Sequence, residues 1–86
     1  MHIHLGRDVS VRERDIVGIF DIDATTASKD TRAFLKKCED ENRVTNVSTE
    51  LPKSFVLCRY DGQPHLFVSA ISSSTLGKRV EENTFR

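Results

Sequence analysis

His2 and His4 stand two residues apart in a stretch that alternates polar with apolar, so on a strand both rings project from one face. With His65 or an acidic residue as a third ligand, the pair could hold a metal ion. No closing pair follows at a metal-ligand interval, and the spacing suits rim or interface histidines better. Asp21 and Asp23 flank Ile22 where carboxylates could bind Mg²⁺ or act as acid and base. No nucleophile accompanies them, and carboxylates there also favour the positive end of a following helix. The run Ser72-Ser73-Ser74-Thr75 offers hydroxyls at a helix start, yet the Gly-rich loop of a phosphate site and the GxSxG setting of a nucleophile are both missing. Helix capping is the simpler role. Cys38 on an apolar helix face and Cys58 inside a strand read as small core residues, with neither CxxC spacing nor histidines at metal-ligand intervals. The expectation is a protein that is not an enzyme and uses no cofactor or metal.

The basic residues are the remaining candidates. Arg12 and Arg14 mark one corner, Lys53 begins a strand, and Lys78 with Arg79 lies on the last helix. If several converge, they form a surface for phosphate groups. The alternative is a scatter of solvated charges with Glu13, Asp15, Glu81 and Glu82 as local partners. Lys plus Arg and Asp plus Glu each number 13, a balance that argues against a uniformly basic nucleic-acid binder and leaves room for a local basic face.

Whatever the site, 86 residues allow one domain, taken here as 1–86. A domain this small buries only about 60% of the surface its unfolded chain exposes. Apolar residues make up 37% of the chain and aromatic ones 7%, so association with copies of itself is expected to supply part of the missing burial. No apolar run reaches membrane-spanning length, and the N-terminus lacks the basic-then-apolar pattern of a signal peptide. A cytoplasmic protein with reduced thiols and no membrane partner is the expectation.

The segments that must position these residues follow from hydrophobic period. Residues 2–5 and 8–11 alternate as half-buried strands, with Gly6-Arg7 as the turn between them. After the polar corner Arg12-Glu13-Arg14, the run DIVGIFDI predicts a third, more deeply buried strand, and Gly18 within it predicts a bulge or a close backbone approach. Ala27, Thr31, Phe34, Leu35 and Cys38 share one face of a helix predicted from about residue 28 to 41, capped by Thr25, Thr26 or Ser28. Residues 42–52 form a short strand or loop. SFVLCRY and HLFVSAI pair as a hairpin across Asp61-Gly62. A short closing helix then starts at the serine run and buries Leu76 with Val80, followed by a frayed tail from Glu82. The predicted fold is α+β: a mostly antiparallel sheet of about five or six strands, one central helix and a short C-terminal helix.

The stretches HLG, RDIVGIFD, PKSFVL and SAISSSTLGKRV together resemble the RemA/RemB family of small bacterial extracellular matrix (biofilm) regulators, over nearly the whole chain. RDIVGIFD and SSSTLGKR are more similar to the RemB branch. The resemblance implies a non-enzymatic regulator of matrix genes, assembled as a homo-oligomer, with rings in RemA proteins, that displays basic side chains to double-stranded DNA. It implies that Arg14, before IVGIF, and Lys53, at the start of a later strand, contact DNA; Arg12, Lys78 and Arg79, basic residues at other strand and helix positions, are expected to assist. The RemA pattern carries an arginine pair shortly before that later strand, where this sequence has Glu50-Leu51. The replacement favours an alternative: an oligomeric protein that regulates through protein contacts without binding DNA.

Overall fold

The computed structural model describes residues 2–84. Strands β1 (His2–Gly6) and β2 (Val9–Arg12) form a small hairpin in which Ile3 faces Val11, followed by a 3-10 turn at Glu13–Asp15. A second sheet contains β3 (Ile16–Asp21), β4 (Val44–Asn46), β5 (Ser54–Tyr60) and β6 (Gln63–Ser69), in the order β3-β5-β6-β4. Its pairs are antiparallel except β4 with β6, which run parallel. Helices α1 (Ile22–Thr25) and α2 (Lys29–Asp40) connect β3 to β4, and α3 (Ser73–Thr84) closes the described chain. The α+β class and the mostly antiparallel sheet agree with expectation.

Side-chain alternation divides the four-stranded sheet into two faces. Val56, Cys58 and Phe67 point to one face, where they meet Ile3, Leu5 and Val11 of the hairpin, Val47, and Leu76 of α3. This is the core. Ser54 and Ser69 are paired in register on the same face and fully buried, and both are satisfied: Ser54 Oγ donates to Ile71 O at 2.7 Å and Ser69 Oγ to Leu5 O at 2.7 Å. The second bond ties the sheet to β1. The opposite face presents Phe55, Leu57 and Leu66 toward α2, whose Cys38 is buried and whose Leu35 is half-buried.

The turns follow from residue type. Asp61 and Gly62 take φ of 51° and 76°, the left-handed values that a tight two-residue hairpin between β5 and β6 requires. Ser28 caps α2 by accepting from Thr31 N at 3.4 Å, and Ser72 caps α3 by accepting from Thr75 N at 3.2 Å. The helix predicted from 28 to 41 is thus α2, shorter by one residue at each end.

Several expectations need correction. The strand predicted to be more deeply buried than the first two is β3, yet it lies at the edge of the sheet, with Val17 56% and Phe20 42% exposed. Its apolar sequence has no second neighbouring strand among the described residues. A four-residue helix, α1, begins at Ile22, where the strand was expected to continue; the Asp21 carboxylate caps it by accepting from Ala24 N at 3.2 Å. The expected closing helix is present and, at 12 residues, equals α2 in length. It also continues through the segment expected to fray from Glu82, as far as Thr84, and the rest of that tail lies outside the described residues. The bulge expected at Gly18 is present, with the register shifting between Ile16 and Gly18. A Cβ at Gly18 would lie 2.6 Å from the Phe20 ring, so the close approach is to that aromatic side chain.

Candidate nucleic-acid interface

The corner between β2 and β3 is built by a short turn that takes the chain from one sheet to the other. Arg12 is the last residue of β2, opposite His2 in register, and Arg14 lies within the 3-10 turn before Ile16. His2, Arg12 and Arg14 are all exposed, and with Glu13 and Ile16 they line one open cleft of about 770 Å³. Two arginines around one opening can donate charge-assisted hydrogen bonds to phosphate oxygens.

Tyr60 adds an aromatic ring to this end of the sheet. Ile16 pairs with Cys58 in register, which brings the end of β5 beneath the turn. The Tyr60 hydroxyl is pushed up to about 12 by burial and by the neighbouring Cys58, with Arg12 acting in the opposite sense. It therefore remains a neutral donor. Its ring lies 6.0 Å from His65, which in turn lies 4.8 Å from Phe67. Tyr60 was not selected from sequence; only the β3–β5 register reveals its proximity to Arg12.

The other basic candidates lie apart from this corner. Lys53 is exposed just before β5, and its carbonyl accepts from Ile22 N at 3.1 Å, at the far end of β3. Five residue steps separate Ile16 from Asp21 along β3, which is roughly 17 Å of strand. Arg14 and Lys53 are therefore not brought together within one subunit. Lys78 is exposed on α3. Arg79 donates to His4 O at 2.7 Å and so joins α3 to β1, giving this side chain a structural role. Arg12 and Arg14 share a cleft.

The remaining chemical candidates separate. His2 and His4 project from one strand face, but His4 Nε2 contacts Arg7 O, while His65 Nε2 lies 2.7 Å from Thr45 Oγ1 on the four-stranded sheet. Among the described residues, no group of three or more His, Cys, Asp or Glu side chains could hold a metal ion. Asp21 is occupied in capping α1. Cys38 and Cys58 are buried free thiols; burial raises both, Cys58 to about 11, which leaves little nucleophilic thiolate near neutral pH. Ser72 Oγ accepts from Thr75 N and donates to Thr75 Oγ1 at 2.9 Å, a capping arrangement. Among the described residues, no helix is long and apolar enough to cross a membrane.

The structure thus defines a small α+β protein with an arginine corner at the junction of its two sheets. Comparison with known proteins identifies the group to which it belongs. A family model described as RemA-like, extracellular matrix regulatory protein A-like, matches residues 2–80. The chain is 42% identical over 81 residues to extracellular matrix regulatory protein B of Bacillus subtilis (strain 168), covering 94% of this chain and 91% of that protein. This chain belongs to the RemA-like family.

Proposed function

We propose that the protein is a non-enzymatic regulator of extracellular matrix genes that acts as a homo-oligomer and binds double-stranded DNA through its arginine corner. The observation that carries this reading is the shared cleft of Arg12 and Arg14. Two guanidinium groups in one subunit make a weak phosphate site, because each neutralised phosphate releases few counterions. Repetition in an oligomer multiplies the contact along a polymeric ligand. The exposed apolar edge of β3 supports assembly, since a small subunit gains burial by covering it. Lys53 and Lys78 are exposed and add positive charge away from the corner, and Arg79 contributes charge from its position against β1.

Arg14→Ala tests the reading. Binding to all duplex sequences should weaken, and the salt slope should fall by about 0.9 for each phosphate contact removed, while oligomer size stays the same. Unchanged affinity and slope would remove Arg14 from the interface.

A second reading, regulation by protein contacts alone, is favoured by one specific feature. Leu51, in the loop where the RemA pattern carries basic residues, is 83% exposed and presents an apolar surface. An oligomer whose size and mobility ignore duplex DNA at low salt would support that reading over the first.

A further inference from the structure

His2 begins β1 directly opposite Arg12 of β2, and both side chains are exposed. Residues opposed in an antiparallel pair project from the same face with Cβ atoms about 4.5–5.5 Å apart, so both can reach one small anion. Glu13, Arg14 and Ile16 complete the cleft that these two line. The other basic groups around β1 have partners of their own. His4, on the same strand face, contacts Arg7 O through Nε2, and the Arg7 guanidinium donates to Thr49 Oγ1 at 3.3 Å. Arg79, from α3, donates to His4 O at 2.7 Å. With formal charges, two arginines less one glutamate leave the cleft a net charge of +1, and a proton on His2 doubles it.

Histidine is the side chain whose charge ordinarily changes between about pH 5 and 8. A neutral imidazole donates through one nitrogen, whereas a protonated one donates through both and carries a positive charge. With no anion present, a proton on His2 sets two like charges opposite each other on the hairpin, which is unfavourable. A phosphate between them removes that repulsion and accepts from both, so proton and phosphate favour each other's binding. We infer that His2 is a third phosphate-binding residue of the arginine corner, one that acts when protonated and so tightens the hold on nucleic acid as pH falls. The inference rests on the DNA-binding reading above and adds the regulation of that site. Its sign follows from linkage: the bound protein holds more protons than the free one, so affinity rises as pH falls, and DNA draws protons from solvent when it binds. In an oligomer each engaged subunit contributes one such proton, and the effect multiplies with the contacts.

The test is a titration of the purified full chain with a long DNA duplex of mixed sequence, at constant ionic strength, from about pH 8 to about pH 5.5. The dissociation constant of the parent chain should fall about tenfold or more across this range, and the salt slope at the acid end should be steeper by about 0.9 for each phosphate gained. His2→Gln keeps a donor but takes no proton, and should flatten the pH dependence. His2→Arg carries the charge at every pH, and should bind near pH 8 about as tightly as the parent chain does near pH 5.5. His4→Gln, outside the cleft, should keep the parent's ratio of affinities. Loss of folded protein in acid would weaken binding and therefore has the opposite sign. A parent chain with equal affinity at both ends of the range, or a His2→Gln variant that keeps the full pH dependence, would overturn the inference and leave DNA binding by the arginines standing. A parent chain that binds no duplex at any pH would overturn the DNA-binding reading, and the inference with it.

Discussion

Ser69 holds two parts of the molecule at once: its hydroxyl donates to Leu5 O and accepts from Ile71 N at 3.1 Å. Ser69→Ala removes the partner of a buried carbonyl, so chemical denaturation should show a loss of about 1–3 kcal/mol. A fully retained midpoint would mean that water takes over these bonds. His65 supplies the pH dependence. Burial, and then Arg43, lowers it from its ordinary value near 6.5. Because the folded value is the lower one, the unfolded chain binds more protons between the two values. The stability linked to His65 is complete above about pH 6.5 and is lost as pH falls through the folded value. Melting temperature measured from pH 7.5 to 5 should therefore decline, and His65→Gln should flatten the curve; an equally steep decline in the variant would place the titration elsewhere. At this scale the sequence told much. The buried state of both cysteines and the capping role of the serine run follow from residue type and period. Tyr60 near Arg12 does not, because that proximity depends on the register between β3 and β5.

Among the elements, β3 is the most informative. Its residues match a strand covered on both faces, whereas it lies at an edge with two large apolar side chains exposed. Period and composition report how apolar a strand is but leave open whether its neighbour comes from the same chain. Asp61-Gly62 shows the opposite case: the turn chemistry is local, so the β5–β6 hairpin is legible in the sequence. The parallel pairing of Val44 with Leu66 is long-range and had no local signal. Gly18 offers a test of the β3 edge. Gly18→Ala places a methyl group against the tip of the Phe20 ring, which is partly exposed and can swing away. The expected cost is about 1 kcal/mol, accompanied by a change in the groove that Phe20 lines. Thermal melts and fluorescence of an apolar dye report the two effects separately; a dye signal identical to the parent's would show that Phe20 stays in place.

For the whole molecule, the central quantity is the product of a weak site and its multiplicity. Formal charge sums to zero, so the DNA binding proposed above relies on a local corner repeated across subunits. Assembly and DNA binding are then linked. Removing the assembly should reduce affinity far more than removing a single phosphate contact, because the repeat is lost along with the contact. Membership of the RemA-like family was legible in the sequence across β3, the start of β5 and the serine-capped helix. Glu50-Leu51 is plain in the sequence, but the exposure of Leu51 required the fold. The most direct test is light scattering of the purified protein with and without long duplex DNA across a salt series. The account predicts an oligomer that binds the duplex at low salt and releases it steeply as salt rises. An oligomer indifferent to DNA at every salt concentration would contradict DNA binding, and a stable monomer would contradict the assembly on which it depends.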